Sequence, residues 1–476
     1  MTARRAAVRP AAPMVVEGDA SVSPWTCFGE HRFSRRRLWA RRVEIARIVT
    51  RHGLGLLIGN TGIGRFVPFH HGRLHHKARR EPYERHEHLR MLFEDLGATY
   101  IKIGQILSAR PDLLAEKYRS ELAQLQDAAP LQGSWRARDE VERQLARPLS
   151  DVFSDFREPP IAAASIGQAY CARLAGGTEV VVKVRRPGVV EHVTIDLCIL
   201  ARLAHHLDRW WPPARRIGLA VLIDEFGSML RCELDYTVEA ANAVRLARNL
   251  IDMPWVVVPT VHDKASTANV LTLDFVRGAR VDDLDALRAA GVSPQDVAAR
   301  ATDLFLKMVF NDGFFHADPH PGNLLVDERG CIGLIDFGMV GELTPPLRET
   351  LAGLLTAMAS DDIDGVVDHF VQLGIAAGSA DRDALRRDLE SLMRHYVDQP
   401  VGTLRFGTLL QDHLAVARTH RLHLPPELAV LTKTLVMCEG LAARLDPDFQ
   451  MLAAFGKWLP RLTATPDDPT PIAASS

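Results

Sequence analysis

Apolar positions along this chain change period several times, and each change marks an element. From Ser34 to Arg51, Trp39, Val43, Ala46 and Val49 recur at helical spacing among arginines, which predicts a basic amphipathic helix over residues 34–51. Leu89, Leu92, Phe93 and Leu96 restart the helical period and open a helical region from about Glu81 to Gln144. Inside it, Gly104 of Lys102-Ile-Gly104-Gln105 costs about 1 kcal/mol relative to alanine, so it implies a close approach to another backbone or a ligand, or a helix end. The pattern then turns to strands. Ala162 to Tyr170 leads through Gly176-Gly177 to Glu179-Val-Val-Val182-Lys183-Val184, a strand, turn and strand. Helical segments follow to about Gly227, and Val256 to Pro259 and Val270 to Val276 read as two further strands. Leu324-Leu-Val326 and Cys331 to Ile335 form a hairpin turned at Glu328-Arg-Gly330. Helical patterns continue to about Leu462, while residues 1–33 and 463–476 lack periodic apolar positions and are expected to be disordered.

Length and composition narrow the class. With 476 residues, 47% hydrophobic and 24% charged, the chain suits two or three soluble domains, or one large two-lobed fold with an extension. Charge is uneven. Residues 1–90 carry 18 Lys and Arg against 7 Asp and Glu, although the whole chain has a net charge of −2. Such an excess suggests an anionic partner, a membrane surface or a nucleic acid. Six scattered cysteines without a CxxC pair exclude a zinc ribbon and fit a reducing compartment. Neither a secretory leader nor an uncharged apolar run of about 18 residues is visible, so a cytoplasmic location is expected, with peripheral contact at most. Gly53 to Gly59 superficially resembles a dinucleotide loop but lacks a preceding strand, and Gly59 to Arg65 is a P-loop without its Lys and Ser/Thr. His70, His71, His75 and His76 read as part of a solvated basic linker rather than a metal site.

The densest chemistry lies at His316-Ala-Asp318-Pro-His-Pro-Gly-Asn323, followed thirteen residues later by Asp336-Phe337-Gly338. An Asp, an Asn five positions on, and Asp-Phe-Gly after a short hairpin is the spacing of a protein-kinase-like phosphoryl-transfer site. Asp318 would face an acceptor hydroxyl or water, and Asn323 and Asp336 would offer oxygens to Mg²⁺. Lys183 projects from an apolar strand and needs an anionic partner, which a nucleotide phosphate supplies. Glu233 and Glu239 lie six positions apart and cannot share one helical face, so they reach different partners. The Arg277-Gly278 break would be a hinge between lobes, with backbone groups of the preceding strand, around Asp274 and Val276, available to an adenine.

In that order the motifs resemble the UbiB/ADCK family of atypical kinase-like proteins over roughly residues 40–445. The resemblance rests on Lys102-Ile-Gly104-Gln105, Ala162-Ala163-Ala164-Ser165-Ile-Gly167-Gln168, Val181-Val-Lys183, Glu233-Leu-Asp235, Glu239, the loop from His316 to Asn323 and Asp336-Phe-Gly338. It implies an α+β, two-lobed protein-kinase-like fold with an N-terminal helical extension and a predominantly helical C-lobe. The corresponding divisions are a basic segment at 34–80, the extension at 81–150, the N-lobe at 151–277 and the C-lobe at 278–462. It further implies ATP or ADP with Mg²⁺. Lys183 would hold the α- and β-phosphates and pair with Glu239, and Ala163, Ala164 and Ser165 would cover the nucleotide in place of a Gly-rich loop. Lys102 and Gln105 would enter the site and meet Glu233 and Asp235. Family members are linked to isoprenoid quinone biosynthesis or lipid homeostasis. Expected partners are therefore a nucleotide, a prenyl-lipid or quinone intermediate, quinone-biosynthesis proteins and an anionic membrane surface met by the basic N-terminal stretch, with no nucleic acid. Alternatives are a small-molecule phosphotransferase and a nucleotide-gated scaffold. Between Gly338 and Pro345 there is no Ala-Pro-Glu and no room for a long activation loop, which disfavours a peptide substrate.

Overall fold

A computed structural model describes residues 34–58, 83–126, 135–376, 381–397 and 405–458, apart from positions 109, 111, 112, 421, 424, 452 and 457. The segments expected to be disordered, 1–33 and 463–476, and the histidine-rich linker lie outside the described residues.

Among the described residues, the α-helices before the first strand are α1 (Arg35–Ile58), α2 (Arg85–Leu96), α3 (Ala98–Ser108), α4 (Glu116–Ala123) and α5 (Ala137–Leu145). A reciprocal capping box of Glu84 and Glu87 starts α2. The buried face of α1 differs from the one its hydrophobic pattern suggests. Trp39 is 68% exposed and Val49 43%, whereas Ile48 and Ile45 pack on Leu92, Leu96 and Tyr100. Polar anchors choose this face. The Arg41 guanidinium donates to both Asp196 oxygens at 2.7 and 2.9 Å and to the Leu96 carbonyl at 2.7 Å. His52 meets Asp95 at 2.9 Å.

The first lobe contains β1 (Phe153–Phe156), β2 (Ala162–Ala163), β3 (Gly167–Leu174), β4 (Glu179–Arg185), α6 (Val189–Trp210), α7 (Pro212–Ile217), α8 (Leu219–Glu233), α9 (Tyr236–Asn249), β5 (Val256–Val257) and β6 (Val270–Asp274). Its antiparallel sheet runs β1-β3-β4-β6, with β2 added to β3. Alternation along β4 buries Val180, Val182 and Val184 against Phe153, Phe156 and Tyr170, so Val181 and Lys183 face the other way. Although β5 precedes β6, it pairs in parallel with a strand of the second lobe.

That lobe comprises β7 (Ala279–Arg280), α10 (Leu284–Ala289), α11 (Pro294–Leu306), β8 (Phe314–His316), β9 (Leu324–Val326), β10 (Ile332–Leu334), β11 (Val340–Glu342), α12 (Pro345–Ala359), α13 (Ile363–Leu373), β12 (Ile375–Ala376), α14 (Arg382–Val397), α15 (Phe406–Thr419), β13 (Leu422–His423) and α16 (Pro426–Leu445). The order β5-β10-β9-β7 forms one small sheet, and β8 pairs with β11. Gly278 marks the passage between lobes, where a Cβ would lie 2.7 Å from the Val326 carbonyl oxygen. The architecture is the two-lobed α+β kinase-like fold, with most of its apolar core in the helical second lobe. Among the described residues no helix is long and apolar enough to cross a membrane.

Candidate functional site

A cavity of about 370 Å³ opens between the lobes. The β2–β3 hairpin contributes Ala163, Ala164 and Gly167, and β4 contributes Val181 and Lys183. Leu273 to Val276 line the connecting edge, and Asn323, Leu325, Ile335 and Asp336 come from the second lobe. Apolar side chains thus form one part of the wall and charged ones another, a division that suits a planar base and its phosphates.

Lys183 forms an ion pair with Glu239 and lies 3.8 Å from Asp336. Burial opposes the charged ammonium, but Asp336 and Glu239 more than offset it and hold the Lys183 pKa above its ordinary value. The Phe337 N–H donates to Glu239 at 3.3 Å, and the Asn242 amide donates to the Phe337 carbonyl at 2.9 Å. Two points on α9 therefore grip the Asp-Phe-Gly segment. The Asp336 carboxylate accepts from the Gly338 N–H at 2.9 Å. Burial pushes Asp336 upward, but Lys183, this hydrogen bond and Lys102 outweigh it and leave its pKa depressed.

On the 316–323 loop, the Asn323 amide nitrogen donates to the Asp318 carbonyl at 3.0 Å. Its amide oxygen is consequently the end left to accept a cation. Asn323 and Asp336 together supply one amide and one carboxylate oxygen beside the cavity, a hard donor pair that fits Mg²⁺ completed by phosphate and water oxygens. Buried His316 receives the Asp318 N–H at Nδ1, 3.2 Å away, and its Nε2 bonds the Asp336 carbonyl. Only a neutral ring does both, and burial lowers the His316 pKa despite the nearby Asp318 and Asp336 carboxylates.

From the extension, Lys102 reaches the cavity and pairs with Glu233. Gly104 allows the close approach: a Cβ there would lie 2.4 Å from Leu125 Cδ1 and 2.6 Å from Phe93 Cδ2. Three expected site residues are turned elsewhere. Gln105 donates to the Leu125 carbonyl at 3.2 Å and ties α3 to the turn at 124–126. Asp235 caps α9, accepting from the Thr237 N–H at 2.9 Å and the Thr237 hydroxyl at 2.6 Å, so Glu233 alone meets Lys102. Ser165 lines a second cleft, with Arg41, Thr99 and Arg186, behind the alanine hairpin. Asp274 and Val276 border the nucleotide-sized cavity, but the Asp274 carboxylate is engaged by the Thr260 N–H at 3.2 Å and by His262 at 2.7 Å, leaving its backbone to the cavity.

Lys433 was not singled out from the sequence, yet its Nζ lies 3.2 Å from Asp318 Oδ1. The signal was the one that marked Lys183, a lysine within an apolar stretch, here Leu428 to Leu435 of a helix.

A family model described as the ABC1 atypical kinase-like domain matches residues 124–370, and one described as the UbiB helical domain matches residues 389–450. The uncharacterized protein slr1919 of Synechocystis sp. is 35% identical over 386 residues, covering 81% of this chain and 68% of that protein. A Marinobacter nauticus protein named "Probable protein kinase UbiB" is 34% identical over 371 residues, covering 77% of this chain and 68% of its own length. Among solved structures, the Rv3197–erythromycin complex from Mycobacterium tuberculosis aligns with a TM-score of 0.52 at 25% identity, covering 79% of this chain and 95% of that one.

Proposed function

The chain belongs to the UbiB family of ABC1 atypical kinase-like proteins, and on that premise we propose that its inter-lobe cavity binds Mg-ATP and passes the γ-phosphoryl group to water or a small acceptor. The observation that carries this reading is the convergence of Lys183, Asn323 and Asp336 on a cavity that is also lined by the apolar Ala163, Ala164, Val181, Leu273, Val276 and Leu325. Lys183, oriented by Glu239, would bind the α- and β-phosphates. Asn323 and Asp336 would hold Mg²⁺, which when bound neutralises developing charge on the phosphate oxygens. Asp318 would accept the proton of the attacking hydroxyl or water. The hairpin of Ala163 and Ala164 covers the nucleotide, and its tip is fixed because Ile166 is buried among Val193, Leu197 and Phe226.

Acceptors other than peptides are favoured. β11 follows Gly338 almost at once and α12 begins at Pro345, leaving no extended docking segment. Isoprenoid quinone biosynthesis or prenyl-lipid homeostasis is the proposed setting, with a quinone precursor or prenyl lipid as acceptor or client, quinone-biosynthesis proteins as partners and contact at an anionic membrane surface. The Lys102–Glu233 pair supports a second reading, a nucleotide-gated scaffold, because arriving phosphates would compete for Lys102 and loosen the extension.

ADP formation from Mg-ATP, measured with and without anionic liposomes, tests the proposal against an Asp336→Asn background. Lipid-stimulated turnover above that background is expected. Tight nucleotide binding without turnover would move the assignment to the scaffold.

A further inference from the structure

We propose that the C-terminal helix α16 is a working part of the phosphoryl-transfer site, with Lys433 acting as the positioning cation for Asp318. The inference rests on the catalytic reading above and adds a residue to it from outside the ABC1 domain match, within the segment matched by the UbiB helical domain.

Two adjacent positions of α16 bond two adjacent positions of the catalytic loop. Lys433 Nζ lies 3.2 Å from Asp318 Oδ1, and the Thr434 hydroxyl donates to the Ala317 carbonyl at 3.1 Å. The helix that carries them is itself held in place. Its Glu439 carboxylate accepts the N–H groups of Phe406 and Gly407 at 2.7 and 3.1 Å, and Arg444 pairs with Asp282 at 3.2 Å. Lys433 and Asp318 are largely buried, with side chains 15% and 22% exposed, so their contact is not a solvated surface pair.

The loop supplies no such cation itself. Residues 316–323 contain neither Lys nor Arg. The His320 ring is folded back onto the Gly322 N–H at 3.1 Å, and His316 is neutral and occupied by Asp318 and Asp336. Lys183 and Lys102 are engaged by Glu239 and Glu233. Lys102 acts on Asp318 only through space, so the cation that pairs directly with this carboxylate comes from 115 positions away.

Held at Oδ1, the carboxylate presents Oδ2 to the acceptor. The acceptor O–H proton passes to Oδ2, its oxygen pair forms the new O–P bond, and the bridging P–O bond breaks with its electron pair leaving on ADP. Lys433 touches neither acceptor nor phosphorus in this scheme. It sets the orientation of Asp318 and screens its repulsion of the nucleotide.

The test uses the full chain with Lys433→Met and Lys433→Arg. Lys433→Met is expected to lower kcat for ADP formation at least tenfold, with KM for Mg-ATP within about twofold, and Lys433→Arg to stay within about threefold of wild type. Unchanged kcat in Lys433→Met, or equal losses in both variants, would overturn the assignment. Lys433→Gln replaces the Met variant if that one does not fold. Absence of wild-type turnover above the Asp336→Asn background would instead sink the catalytic reading. The contact is then judged by a thermal double-mutant cycle of Lys433→Met and Asp318→Asn without nucleotide. Non-additive midpoint shifts would support the pairing of α16 with the loop, and additive shifts would refute it.

Discussion

Lys102 of α3 and Glu233 at the end of α8 form an ion pair across 131 positions of sequence, with side chains only 19% and 16% exposed. Burial opposes the Lys102 charge, but Glu233, Asp336 and Asp318 together raise its pKa. The extension therefore contributes a fixed cation to the cavity. Glu233→Gln should strand that cation and destabilise the protein by about 3 kcal/mol. The double variant Lys102→Met/Glu233→Gln should recover part of the loss. Unfolding midpoints of the three variants check this, and a silent Glu233→Gln would show that the pair contributes nothing.

The alanine hairpin is anchored rather than free. Ile166 is 7% exposed and packs among helices α3, α6 and α8, and the Arg186 N–H donates to its carbonyl at 2.9 Å. Ile166→Ala should cost about 2–4 kcal/mol and weaken ATP binding by releasing the cover of the cavity. Calorimetric titration with ATP and a thermal melt read the two effects separately. Lost stability with intact affinity would mean that the anchor does not position the hairpin.

His316 links the catalytic loop to the Asp-Phe-Gly segment through a neutral ring. Its folded pKa is depressed, so the unfolded chain binds a proton more readily. The stability it contributes is present above the unfolded value and is lost as pH falls through the folded one. Wild-type melting temperature should therefore drop between about pH 7 and pH 5 more than that of His316→Gln. Parallel curves for the two proteins would contradict the neutral assignment.

The arginines of α1 are not equivalent. Arg41 is held by Asp196 and Arg37 by Glu191, while Arg35, Arg36 and Arg42 are exposed. Replacing Arg35, Arg36 and Arg42 with Gln should weaken binding to anionic vesicles by about 1 kcal/mol per residue near the surface, without changing the melting temperature. Arg41→Ala should instead destabilise the fold, because it leaves buried Asp196 without its cation. Vesicle cosedimentation and melts distinguish the two classes, and equal vesicle binding by the triple variant would place the membrane contact elsewhere.

How much was legible follows from the range of each interaction. The hairpin carrying Leu324–Val326 and Ile332–Leu334 could be read because its turn is local: the Asp327 carboxylate accepts the Arg329 and Cys331 N–H groups, and Gly330 takes a positive φ of 73°. That short turn sets the distance from Asn323 to Asp336. Lys183 was legible because a charge on an apolar strand requires a partner. The buried face of α1 was not, since Arg41 and His52, rather than the apolar residues, select it through Asp196 and Asp95. Gln105, Asp235 and Ser165 carry the residue types of a site, but a neighbouring carbonyl, a helix end and a second cleft decide where they point. Lys433 stands in an apolar stretch as Lys183 does, but nothing near it in sequence indicates that its partner is Asp318.

The most direct test of a Mg-nucleotide site between the lobes is calorimetric titration of ATP into the wild type and Asp336→Asn, each with and without Mg²⁺. Wild-type affinity should rise with Mg²⁺, and most of that increment should vanish in Asp336→Asn, because a carboxylate has been removed from the metal's coordination. An identical Mg²⁺-dependent increment in both proteins would contradict the assignment of Asp336 and, with it, the placement of the phosphates beside Lys183.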